Sequence, residues 1–338
     1  MTEQDFKRAT LLSRMASIGL SPHVALIGIL LVLAPQVIKS EFLLHLMISS
    51  LLFGTLAMGF DFTTGFIGIV NFGYAAFWGL GAYTSALLAV RLGVSPWLGI
   101  IFATLSAAIV GFFTGVLTLR LRGIFAAVMS WFVGLNLMAL ATQLVDLTRG
   151  QLGLNVPLFF DTAHKLPYYY TLLPFTLLTW ILLRTVTRSR VGLAFKAIGQ
   201  DLEAAQASGV NPTKYKVINF TLSCAIAGAL GAYYAHFMGI LTPDVMHTRH
   251  TVQVLTLAYV GGRGSIWGGL LAGFVLIPAF EYLKHLMELR LVIYGVMLIL
   301  IMVFYPGGFN AAYEGLLRRA NRWRSKTVDL GLGHEQGK

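Results

Sequence analysis

Several side chains in this sequence have types and spacings that could do chemistry. Asp244, His247 and His250 fall close enough together to suggest a metal site, but they sit in one short loop with no visible supporting shell, and a structural zinc site needs more. Cys224 is the sole cysteine, so no internal disulfide framework or zinc cluster can form, and its apolar surroundings read as core filling. The chain holds no GxxxxGK[ST] phosphate loop, no HExxH and no GxSxG. Nothing in it supports catalysis. Asp61, Asn71, Asn136, Gln143 and Asn219 lie in or beside apolar stretches. Polar groups at such places face a bundle interior or a cavity, or bond across helices. Asn71 and Asn136 are the candidates for lining a path, and Asp61 is expected to reach the membrane interface.

The elements that would position these residues are membrane spans. The chain has 338 residues, 57% hydrophobic and only 12% charged, against about 25% charged in an ordinary soluble domain. Apolar stretches of roughly 20 residues recur, each long enough to cross a bilayer as a helix. The alternating segments of a β-barrel are not seen. The reading is therefore an all-α membrane protein, a polytopic transmembrane helix bundle with about ten spans: 19–38, 42–60, 72–90, 96–119, 123–145, 166–186, 215–240, 249–262, 266–283 and 290–306. The stretch 249–262 is short for a crossing. The first stretch is too long for a signal h-region and lacks a cleavage site, so it reads as a span.

Placement of the basic residues sets the direction. With the N-terminus inside, only Lys39, Arg91, Arg149, Lys165, Arg249, Lys284 and Arg290 of the 25 Lys and Arg fall outside. The positive-inside rule then favours N-in and C-in. The net charge of +11 is thus mainly a topology signal and not a nucleic-acid footprint. This divides the chain into a cytoplasmic N-terminal segment 1–18, a transmembrane domain 19–306 and a basic cytoplasmic tail 307–338, which from Ala311 is expected either to fray in solvent or to lie on the anionic inner leaflet.

Small residues suggest close helix packing at Gly111-x-x-x-Gly115, Gly264-x-x-x-Gly268 and Gly269-x-x-x-Gly273. The spacing Gly73…Trp78-Gly79 recurs as Gly262…Trp267-Gly268, as in an internal repeat around a transport path. An external stretch, Asp146–Lys165, carries Gly150, Gly153 and Pro157.

The cytoplasmic loop 187–214 is the most informative segment. Ile198, Leu202 and Ala205 fall at helical spacing on a short helix. Asp201 and Glu203 sit near its positive end, and Gly209 stops it. Asn211-Pro212 then restarts a helix, with Asn as N-cap and Pro at the first position. The apolar face is narrow and Ala-rich, which suits docking in a protein groove better than lying on lipid.

The run Glu203-Ala204-Ala205-Gln206-Ala207-Ser208-Gly209 resembles the EAA loop of ABC-importer membrane subunits. Further motifs follow in order from about residue 50 to about 310: Gly68-Ile69-Val70-Asn71-Phe72-Gly73-Tyr74, Gly79-Leu80-Gly81-Ala82-Tyr83-Thr84, Leu119-Arg120-Leu121-Arg122-Gly123-Ile124-Phe125-Ala126 and Tyr259-Val260-Gly261-Gly262-Arg263-Gly264-Ser265. Together they resemble the branched-chain amino-acid (LIV-type) ABC permeases, and within these the LivM-like subunit. Tyr74 stands where many relatives carry His or Gln, a departure that bears on the substrate.

The resemblance implies an ABC importer permease fold in a bacterial inner membrane. It implies a homologous second permease subunit, two ABC ATPase subunits and a periplasmic or lipoprotein substrate-binding protein. ATP and Mg are then used by the ATPases, and this chain binds no cofactor or metal. Glu203, Ala204, Ala205 and Gly209 become the ATPase-coupling residues, and Asn71, Tyr74 and Asn136 the candidates for the translocation path. Branched-chain amino acids are the expected substrate, with urea or a short amide as the alternative. An ion-coupled secondary transporter would need ionisable residues near mid-membrane, and the spans are nearly free of them.

Overall fold

A computed structural model describes residues 31–36, 38, 40–118, 121, 124–162, 164–283, 289–304 and 307–308. The expected N-terminal segment 1–18, most of the first expected span and nearly all of the tail 307–338 lie outside the described residues.

The described chain is helical. In order it forms α1 (Glu41–Thr64), α2 (Tyr74–Leu92), α3 (Pro96–Thr118), α4 (Ile124–Gln143), the single turn α5 (Val145–Thr148) and α6 (Leu166–Arg188). There follow α7 (Arg190–Gln200), α8 (Leu202–Ala207), α9 (Pro212–Met238), α10 (Thr248–Gly261), α11 (Gly268–Tyr282) and α12 (Leu289–Phe304). Among the described residues six helices, α1, α2, α3, α4, α6 and α9, are long and apolar enough to cross a membrane. The chain is thus a multi-pass membrane protein. The expected spans 249–262, 266–283 and 290–306 are present as helices of 14, 15 and 16 residues. At 1.5 Å per residue each falls short of a hydrocarbon core of about 30 Å.

Helix ends follow the local chemistry. Asn211 caps α9 by accepting from the Lys214 amide, with Pro212 at the first position. Gly93 and Gly239 close α2 and α9 in the left-handed conformation that glycine adopts without strain.

α9 runs through the centre, packed on α2 and α3. Glycine makes that approach possible. A Cβ on Gly81 would meet the Gly228 carbonyl, and one on Gly231 the Trp78 carbonyl. The Gly269/Gly273 pair does what its spacing predicts, lying on Ala57, Gly54 and Ser50 of α1, while Gly111 packs on the buried Cys224. Polar side chains join helices across the core: Asn219 donates to the Phe62 carbonyl (2.9 Å) and Ser223 to that of Gly59 (2.7 Å). The recurring Gly/Trp spacing does not mark equivalent places. Trp78 is buried inside α2, whereas Trp267 precedes α11 and Gly262 closes α10.

One end of the bundle carries an addition to the all-helical expectation. β1 (Leu154–Asn155) pairs antiparallel with β2 (Ile240–Leu241), a ribbon too short to leave an alternating pattern in sequence. His236 ties this end down. Its Nδ1 lies 2.7 Å from the Pro157 carbonyl, which can only accept, so Nδ1 carries the proton and Nε2 accepts from the Ser85 hydroxyl at 2.8 Å. His236→Leu strands both partners in the interior, and each such loss costs about 1–3 kcal/mol. The variant is expected to melt several degrees lower in detergent. An unchanged melting temperature would show that the tie contributes nothing.

Candidate coupling elements and a polar cleft

The EAA-like segment lies at the end of the bundle opposite the ribbon. The sequence predicts one short helix there, and the chain forms two, broken at Asp201. This residue adopts extended backbone (φ −151°), and its Oδ1 accepts from the amides of Glu203 (2.9 Å) and Ala204 (3.0 Å), so it starts α8 and cannot continue α7. Gly209 has φ +83°, as expected of a helix-stopping glycine. The apolar stripe holds: Ile198 and Ala205 are buried and Leu202 is half-buried. Glu203 and Ala204 are exposed, whereas Ala205 is turned inward and is not available to a partner.

Behind this surface stands a set of rigid contacts. Phe195 on α7 meets Phe62 of α1 edge to face, with ring centroids 5.5 Å apart. Lys196 lies over the Phe66 ring at 6.0 Å. Gly199 lies so close to the backbone of Phe66 and Ile67 that a Cβ would collide with it. α7 therefore bears directly on the connection between α1 and α2.

That connection, residues 65–73, turns back into the bundle before α2 begins. The Tyr74 hydroxyl donates to the Leu56 carbonyl at 3.2 Å, a point roughly 12 Å along α1 from its Thr64 end. α2 thus starts inside the protein, where its unpaired amides need partners. Asn71 Oδ1 accepts from Gly73, Ser130 from Phe72, and Thr251 from Ala75. Asn71 and Tyr74 are brought together, both about 1% exposed, with their polar atoms committed to this junction. Asn136 is not brought to them. It is exposed on α4, where its amide donates to the Phe132 carbonyl of its own helix.

Asp61 departs from expectation. It is not exposed at the end of its helix but buried within the protein, accepting from the amides of Gly264 (2.8 Å) and Ile266 (3.2 Å) in the α10–α11 connection. Those two donors, supplied by a segment far along the chain, are what allow a carboxyl group to sit there.

At the ribbon end, α1, α9, α10 and α11 enclose a cavity of about 250 Å³. Its polar wall includes His45, Arg249, His250, Gln253 and Glu281, and its apolar wall includes Leu52, Phe53 and Ile277. Sequence reading missed this constellation. The available signal was Arg249, His250 and Gln253, which share one face of a short helix, together with Glu281 inside an expected span. The metal reading does not fit the same region, because Asp244 pairs with Arg249 and His247 caps α10. Among the described residues no three His, Cys, Asp or Glu side chains cluster as a metal site.

Residues 42–302 match the family model described as branched-chain amino acid transport system / permease component. The chain is similar to the high-affinity branched-chain amino acid transport system permease protein LivM of Escherichia coli (strain K12), 27% identical over 281 residues, which covers 75% of this chain and 66% of that protein. It is similar to LivH of the same organism, 23% identical over 278 residues, covering 76% of this chain and 90% of LivH. It is also similar to the nucleoside ABC transporter permease protein NupC of Lactococcus lactis subsp. cremoris (strain MG1363), 30% identical over 193 residues, covering 50% of this chain and 59% of NupC. The matched region spans just under two thirds of the length of LivM. No solved structure matches the chain.

Proposed function

Because the chain belongs to the branched-chain amino acid transport system / permease component family, we propose that it is the LivM-type membrane subunit of an ATP-binding-cassette importer for branched-chain amino acids. It sits in a bacterial inner membrane with N- and C-termini inside and about ten spans, so that α7 and α8 project into the cytoplasm and the ribbon faces outward. It pairs with a homologous second permease. Two ATPases use ATP and Mg, and a binding protein delivers substrate from outside. The chain is a permease component and not itself an enzyme.

The observation that carries this reading is the exposed Glu203–Gly209 segment, backed by α7 and through it by the α1–α2 connection. ATPase closure pushes on Glu203 and Ala204. α7 passes the displacement to Phe66 and Ile67, and hence to the junction at Asn71 and Tyr74 that lies against the path. Coupling of this kind requires two packed states that the ATPase stabilises unequally. Asn136 lies on an outward face that the second permease covers. An amino-acid substrate is favoured over a nucleoside because the LivM and LivH similarities cover three quarters of the chain and the NupC similarity half.

The test is the double variant Glu203→Arg, Gly209→Pro. It reverses the exposed charge and places proline, which needs φ near −65°, where φ is +83°. Leucine uptake in whole cells is expected to fall at least tenfold, with loss of the ATPase from the purified complex. Normal uptake together with normal ATPase co-purification would remove the coupling assignment. Urea uptake in place of leucine uptake by the unaltered protein would correct the substrate.

A further inference from the structure

The cleft at the ribbon end has two walls of opposite character. Arg249 and Gln253 on α10 and Glu281 on α11 supply a cation, an amide and an anion. Leu52 and Phe53 on α1 and Ile277 on α11 supply a hydrocarbon surface. From His45 to Phe53 the lining descends roughly 12 Å along α1, so the cleft runs inward from the end of the bundle. Its floor is aromatic, with the His250 ring 5.5 Å from Trp78 and 6.3 Å from Phe53.

Charged side chains that line a cleft between membrane helices gather where a solute or ion passes. One positive and one negative side chain in the same small cleft suit a ligand that itself carries both charges. A guanidinium offers a planar fork matched to a carboxylate, and a carboxylate accepts from an ammonium. Arg249 is already steadied by Asp244, which bonds one of its terminal nitrogens and restricts where the remaining donors point. The volume, about 250 Å³, equals the share of about eight waters in the liquid. It is smaller than the ~300 Å³ at the lower end for drug-sized ligands, which suits a small solute and not a nucleoside.

We infer that this cleft binds a zwitterionic α-amino acid with an aliphatic side chain, its carboxylate at Arg249, its ammonium at Glu281 and its side chain against Leu52, Phe53 and Ile277. This rests on the importer reading above and assigns it a substrate site. Gln253 bonds a carboxylate oxygen from one turn below Arg249. A neutral amide such as urea satisfies neither charge.

The probe is L-photo-leucine, whose side-chain diazirine inserts into whatever it touches on irradiation. Membrane vesicles containing the full chain are irradiated with it, and the labelled peptides are mapped by mass spectrometry. Label is expected on residues 42–60 and 268–283, competed by excess L-leucine but not by L-leucinamide or 4-methylpentanoate, each of which lacks one charge. Arg249→Gln and Glu281→Gln are each expected to reduce that label at least tenfold. Arg249→Lys keeps the charge without the fork and is expected to retain an intermediate level, which separates recognition from misfolding. Label confined to other helices, or unchanged in both neutralised variants, overturns the assignment while leaving the importer reading intact. Absence of leucine uptake by the unaltered chain in cells overturns the importer reading and the ligand together.

Discussion

Gly231→Leu is expected to abolish recovery of folded protein. At this position α9 crosses α2 backbone to backbone. A Cβ would be driven into the Trp78 carbonyl oxygen and would lie 2.9 Å from its carbon and 3.0 Å from the Ala82 nitrogen. None of these atoms belongs to a side chain that could rotate away, so the two helices would have to separate. Overpacking a core by single methylenes already costs about 1–3 kcal/mol, and separation here would also break the neighbouring contact between Gly81 and Gly228. Against a total stability of about 5–15 kcal/mol, that loss is large. Gly68→Ala is the matched control. Gly68 has φ +76° and no atom within 4 Å of its would-be Cβ, so its cost is confined to backbone strain of about 1–2 kcal/mol. On gel filtration in detergent, Gly231→Leu should run as aggregate and Gly68→Ala as a single peak with a modestly lower melting temperature. A monodisperse, normally melting Gly231→Leu would show that the crossing tolerates separation.

Much of this fold was legible in the sequence because membrane spans announce themselves by length and composition. The α8–α9 stretch was legible for a different reason: Gly209 and Asn211-Pro212 act locally, so their capping roles follow from a few neighbouring residues, whereas the helix break at Asp201 was not foreseen. What stayed hidden depends on distant partners. The inward start of α2 needs Ser130 and Thr251, from two other helices, to accept its amides, and no window around Tyr74 contains them. The inward turn of Ala205 depends on what α8 packs against. The polar cleft likewise draws on four helices, so no single stretch of sequence singled out Glu281. Asn71 shows the limit most clearly. A polar residue in an apolar run was flagged correctly as costly, but its use as a cap could not be told from a lining role.

Asp61 carries the other large effect, and it joins two connections that sequence analysis treated separately. Its two carboxyl oxygens accept from Gly264 and Ile266, while Arg263 reaches back to the Thr64 carbonyl at 3.3 Å. The connection it holds is strained. Ile266 has φ +56°, an outlier for a β-branched residue that persists only where the surroundings impose it, at about 1–3 kcal/mol. Asp61→Leu removes both acceptors, and each amide left unpaired costs about 1–3 kcal/mol, so the α10–α11 connection should open locally. Asp61→Asn keeps one acceptor oxygen but turns a donor toward the second amide, and should fall between. The measurement is hydrogen exchange at Gly264 and Ile266, expected to be slow in the unaltered protein and faster in the order Asn, then Leu. Because this connection packs on Gly65, next to the Phe66 and Ile67 backbone that α7 contacts, leucine uptake should fall in the same order while the ATPase still co-purifies. Unchanged exchange at both amides in Asp61→Leu would mean that the connection holds its shape without the carboxylate. Loss of uptake would then need a cause elsewhere.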